Sequence, residues 1–129
     1  MKKVIRLTES DLLRVVKKVI SEQIKVTDTN ISNIIKTKNK LVIIDFSAEW
    51  CGPCQRMKKH FDELLIDPKF KDKFILATHE LEDFDSPLAK KYNLQTIPYV
   101  MLFRNGKMEF KFKGYKDKPF LINLINKYK

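Results

Sequence analysis

Residues Leu41–Ser47 read LVIIDFS, a β-branched apolar run of the kind found in a strand buried on both faces. Such a strand has no solvent side, so helices must cover it above and below. The flanking rhythm supplies them. Short strands are expected at Ile24–Thr27, Lys73–Leu81 and Pro98–Arg104, and helices at about Thr29–Thr37, from just after Cys51 to about Ile66, and at Ser86–Tyr92. Asn105-Gly106 is a hairpin signal, so Lys107–Lys113 should return antiparallel, and a last helix should run from about Lys118 to Tyr128. The expected order is β-α-β-α-β-α-β-β-α. It describes an α/β fold with a central mixed sheet flanked by helices, parallel in its early part and closed by an antiparallel edge.

One further helix is expected before this core. Thr8 can cap residues 8–22, with Leu12, Val15, Val16, Val19 and Ile20 on one face and Arg14, Lys17 and Lys18 on the other. This divides the chain into an N-terminal extension, residues 1–23, and a domain, residues 24–129. A length of 129 residues suits one domain with a short appendage. No apolar run approaches the roughly 18–20 residues of a membrane span. The basic opening MKK is followed by no apolar h-region, so a secretory signal is not expected and the cytoplasm is the expected location.

The net charge is +10, from 26 basic and 16 acidic side chains. Along the sequence the excess is dispersed, with Lys58-Lys59 and Lys90-Lys91 separated by acids. A nucleic-acid surface gathers its cations on one stripe, and no zinc-finger or RNA-binding motif is present, so no nucleic-acid or membrane partner is expected. A solvated lysine-rich surface is the plainer reading, and steering of acidic partners the alternative.

The chemistry lies in Trp50-Cys51-Gly52-Pro53-Cys54, where the buried strand gives way to a helix. Two cysteines are too few for a disulfide scaffold, and a zinc site needs four ligands that His60 and His79 are not spaced to complete, so no metal is expected. Thiol–disulfide exchange needs a thiolate, and a helix N-terminus stabilises one through free N–H groups and its dipole. Cys51 should therefore be the exposed attacking thiol. Cys54, one turn on, should be the more buried resolving thiol. Gly52 allows close approach, and Pro53 lacks only a donor that an early helical position does not use.

Ile44-Asp45-Phe46-Ser47-Ala48-Glu49-Trp50-Cys51-Gly52-Pro53-Cys54 resembles the active-site segment of thioredoxins, as do Thr96-Ile97-Pro98 and Arg104-Asn105-Gly106-Lys107 downstream. The resemblance spans about residues 24–129. It implies a thioredoxin fold and reduction of protein disulfides, with electrons from a reductase or a small thiol, no bound cofactor, and a monomer. It also implies that Asp45 is the buried acid beneath the cysteines and takes the proton of Cys54, its pKa raised by an apolar setting. Pro98 matches a cis-proline that leaves the backbone of Ile97 free to pair with substrate. Trp50 and Gly114 match positions beside the substrate groove.

Departures from the pattern are visible. Thioredoxins often hold a lysine near the buried acid; the sequence offers His79 there, either as a pH-sensitive neighbour or, more plainly, as a strand-end histidine. Tyr99 and Ser47 replace residues of other sizes. Asp67-Pro68 and the lysines up to Lys73 lengthen a loop.

Residues 1–23 resemble leaders on proteins of large tailed bacteriophages, with Leu7-Thr8-Glu9 and Ile20-Ser21-Glu22 similar to prohead-protease sites. A phage origin would place the protein in a host cytoplasm or a virion. The extension could equally dock on the domain or bind a partner. The main functional alternative is a structural or accessory subunit, of a polymerase or a virion, whose dithiol is incidental. A second is an oxidising or isomerising dithiol.

Overall fold

A computed structural model describes residues 24–129. The helix expected over residues 8–22 and the two leader sites lie outside the described residues. The elements are β1 (Ile24–Lys25), α1 (Ile31–Ile35), β2 (Leu41–Ser47), α2 (Gly52–Ile66), β3 (Phe74–Glu80), α3 (Pro87–Lys91), β4 (Tyr99–Arg104), β5 (Lys107–Lys113) and α4 (Lys118–Tyr128). They form one five-stranded sheet in the order β1-β3-β2-β4-β5. The β1-β3 and β2-β3 pairs are parallel, and the β2-β4 and β4-β5 pairs antiparallel.

Every residue of β2 is buried, because it sits in the middle of the sheet with helices on both faces. Its side chains alternate between two cores. Leu41 and Ile43 join Met57, Phe61 and Leu64 of α2 and Leu121, Leu124 and Ile125 of α4. Val42, Ile44 and Phe46 join Ile31 of α1 and Leu88 and Ala89 of α3 on the other face. Each such fully buried large side chain contributes about 1.5–3 kcal/mol of transfer free energy.

Local chemistry sets the boundaries. β1 is shorter than expected because Asn30 turns the chain: its side chain accepts from Thr27 N at 2.7 Å and donates to Lys25 O at 2.8 Å. The same use of Asn30 leaves α1 without a side-chain cap, so only its middle five residues are regular. α2 stops at Asp67, whose ψ of 122° is extended, as the following Pro68 requires. Ser86 caps α3 by accepting from Ala89 N, and Asp117 caps α4 by accepting from Phe120 N. Asn105 and Gly106 both have positive φ, 52° and 84°, the geometry of a tight hairpin between β4 and β5.

Candidate active site

Cys51 and Cys54 are joined as a disulfide, with Cα atoms 5.2 Å apart. Cys51 is the N-cap of α2, and its sulfur accepts from Cys54 N at 3.2 Å. A sulfur held there faces the unpaired N–H groups of the first turn, which favour a thiolate. Cys54 is fully buried and Cys51 is 7% exposed. The expected order of exposure holds, but Cys51 is not the open thiol the spacing suggested. Ala48 and Ile97 pack against the pair and leave only an edge of Cys51 accessible.

β2 carries Asp45 beneath this pair, on the sheet face covered by α2. The carboxyl is 0% exposed, and neither of its oxygens has a hydrogen-bond partner among the described residues. Burial raises its pKa to about 7; Lys58 opposes the shift, and Glu80 and Asp62 add to it. Lys58 lies one helical turn beyond Cys54 and pairs with Glu80 at 3.5 Å.

The histidine of the sequence reading is elsewhere. Thr78, not His79, stands beside Asp45 in the parallel register. His79 points to the opposite face, edge-on to Phe46 with centroids 5.8 Å apart, its Nδ1 2.7 Å from Val26 O. A one-residue difference in a strand moves a side chain to the other face, which the sequence reading could not resolve here. Thr78 and Glu80 were missed for the same reason, and Lys58 because its place over β3 depends on how α2 crosses the sheet. A spacing of four from Cys54 on an expected helix was the available signal for Lys58.

A cleft of about 430 Å³ opens over the disulfide, lined by Trp50, Cys51, Gly52, Pro53, Ile97 and the previously unsuspected Phe84, with Gln95 and Thr96 at its side. Phe84 sits alone among acids in Glu82-Asp83-Phe84-Asp85, a pattern that fits an exposed aromatic contact. Trp50 is 61% exposed and also walls a second cleft of about 440 Å³ lined by Glu49, Glu80 and Glu82. The Ile97–Pro98 peptide is cis, and Ile97 O lies 4.0 Å from Cys51 Sγ. Gly114, at φ +86°, does not line the cleft. It donates its N–H to Pro98 O at 2.8 Å and so braces the cleft from behind.

A vicinal dithiol at a helix N-terminus, over a buried carboxyl and beside an apolar cleft, defines a protein of thiol–disulfide exchange. The thioredoxin family model matches residues 22–127. The chain is 35% identical over 103 residues to the thioredoxin of Chlamydia caviae, covering 80% of this chain and 95% of that protein. It is 33% identical over 102 residues to the thioredoxin of Rickettsia typhi, covering 79% and 94%. It is 33% identical over 101 residues to the chloroplastic thioredoxin Y2 of Arabidopsis thaliana, covering 78% and 59%. The chain belongs to the thioredoxin family and is a thiol–disulfide oxidoreductase. Its general partners are protein disulfides and a reductase. Among the described residues no helix is long and apolar enough to cross a membrane.

Proposed function

We propose that the protein works in the reducing direction, as a monomeric disulfide reductase with the residue roles that follow. The observation that carries the reading is the difference between the two cysteines: Cys51 keeps an accessible edge at the cleft, whereas Cys54 is sealed above a buried carboxyl. In the reduced protein the Cys51 thiolate attacks one sulfur of a substrate disulfide. A mixed disulfide forms, and the other substrate sulfur leaves as a thiolate that is then protonated. Cys54 then loses its proton to Asp45 and attacks Cys51 Sγ. This releases the second substrate thiolate and leaves the Cys51–Cys54 disulfide. A carboxyl with a pKa near 7 can accept that proton and return it near neutrality.

Substrate binds as an extended segment across Trp50, Gly52, Pro53 and Ile97, and Pro98 and Gly114 keep Ile97 in place. Two electrons from a reductase or a small thiol restore the dithiol.

Reduction of insulin disulfides by dithiothreitol tests this. The wild type should accelerate it, Cys51→Ser should not, and Cys54→Ser should accumulate a covalent adduct through Cys51. Accumulation of an adduct through Cys54 in Cys51→Ser, with none in Cys54→Ser, would reverse the assignment. A dithiol that titrates normally yet gives no acceleration would refute general reductase activity.

A further inference from the structure

The basic residues that are scattered along the sequence are gathered by the fold. Three loops lie at the end of the sheet opposite the disulfide: residues 36–40, residues 67–73, and the β4-β5 turn at 104–107. Together they hold eight Lys and Arg against Asp67 and Asp72, a net +6. The described residues as a whole carry +7, from 20 basic and 13 acidic side chains. The disulfide end instead carries Glu49, Glu80, Glu82, Asp83 and Asp85 around the Trp50 clefts.

The cations are ordered in a row. Leu41 is in register with Phe74 on one side and Arg104 on the other, and Arg104 with Lys107. Lys73, Lys40, Arg104 and Lys107 therefore mark four adjacent strand ends. At about 4.8 Å per strand the row is roughly 15 Å long. Two of the loops are locked together: Asn39 N donates to Asn105 Oδ1 at 3.1 Å, and a Cβ on Gly106 would lie 3.9 Å from Lys36 Cγ. The ion pairs found among the described residues, Lys58–Glu80 and Lys118–Glu63, involve none of these cations.

We propose that this pole is a docking surface for the phosphodiester backbone of duplex nucleic acid, bound without sequence preference and with the redox face turned outward. One strand of a duplex presents a phosphate about every 3.4 Å of axis, so the row spans about four phosphates. Among the described residues the exposed large apolar side chains at this pole are Ile66 and Met108. Neither is an aromatic that would anchor in a bilayer interface or stack on unpaired bases, which favours the duplex backbone over a membrane or a single strand. The acidic rim is repelled by the same polyanion and so sets the orientation.

The test is fluorescence anisotropy of a labelled mixed-sequence 20-base-pair duplex with the full chain, from 20 to 200 mM salt. Four neutralised phosphates predict that log K falls with log salt at a slope of about −3 to −4, with Kd in the micromolar range or weaker near physiological salt. Lys40→Gln with Lys73→Gln should flatten the slope by about two and weaken binding on the order of tenfold at low salt. Lys90→Gln with Lys91→Gln on α3 removes the same charge elsewhere and should change neither by more than about twofold. Insulin reduction should be the same in both variants, showing an intact fold. Equal losses in the two variants would mean net charge alone, and would overturn the proposal. So would binding to phosphatidylserine vesicles or polyglutamate without binding to the duplex, or a slope near zero.

Discussion

Asp45 on β2 and Thr78 on β3 stand side by side in parallel register, both buried, and neither the carboxyl nor the hydroxyl has a hydrogen-bond partner among the described residues. An ionised carboxylate there has lost its water without gaining a donor, so the neutral acid is favoured up to a pKa of about 7.

That shift carries a cost that depends on pH. The unfolded carboxyl ionises near 3.8 and the folded one near 7. Between those values the unfolded state has released a proton that the native state still holds, so native stability falls as pH rises. The full difference is on the order of 4 kcal/mol. Asp45→Asn should remove this slope, leaving the variant more stable than wild type at pH 8. Denaturant unfolding of the oxidised proteins at pH 4.5 and 8 checks it. Parallel pH profiles for the two proteins would rule out Asp45 as the titrating group.

The charges around Asp45 should move its titration in opposite directions. From α2 it faces Lys58 and Asp62 and from β3 Glu80, with Lys25 of β1 beyond Thr78; β4 places uncharged Val100 beside it. Lys58→Met should raise its pKa and Glu80→Gln should lower it, as read by the carboxyl carbon resonance of Asp45. The acidic limb of insulin reduction, where Asp45 becomes protonated and can no longer accept, should follow the same signs if Asp45 is the proton acceptor. No shift in either variant would place the ion pair too far from Asp45 to act on it.

Trp50 projects its indole from the rim shared by two clefts. Trp50→Ala should raise KM for insulin about tenfold, a loss of roughly 1.4 kcal/mol of docking energy, with kcat nearly unchanged. A fall in kcat alone would instead place the indole in the chemical step.

Gly114 holds φ at +86°, and a Cβ there would meet nothing within 4 Å. Gly114→Ala is then a backbone effect, costing about 1 kcal/mol and lowering Tm by roughly 4 °C. A loss several times larger would mean that the bond to Pro98 O had also broken.

Much of this architecture was legible from residue order. The LVIIDFS run could only be a central strand, and a helix had to follow it because Pro53 and the apolar residues from Met57 to Leu65 keep helical spacing. Asn105-Gly106 demanded the hairpin it forms. The Cys51–Cys54 chemistry was equally visible, since two residues between thiols at a helix start place them one turn apart.

What depends on register and on the packing of distant segments was not legible. Thr78 rather than His79 lies beside Asp45 because β3 pairs with β2 at one offset and not the next, and each offset reverses every side chain. Lys58 reaches Glu80 only because α2 crosses the sheet over β3. Phe84 becomes a wall of the cleft only where the acidic loop folds back beside Trp50. The charge pole is of the same kind: Lys40, Lys73 and the Arg104–Lys107 turn are far apart in sequence and become neighbours through strand order. Periodicity and turn chemistry are local and can be read along the chain, whereas electrostatic neighbours are set by the sheet that brings remote segments together.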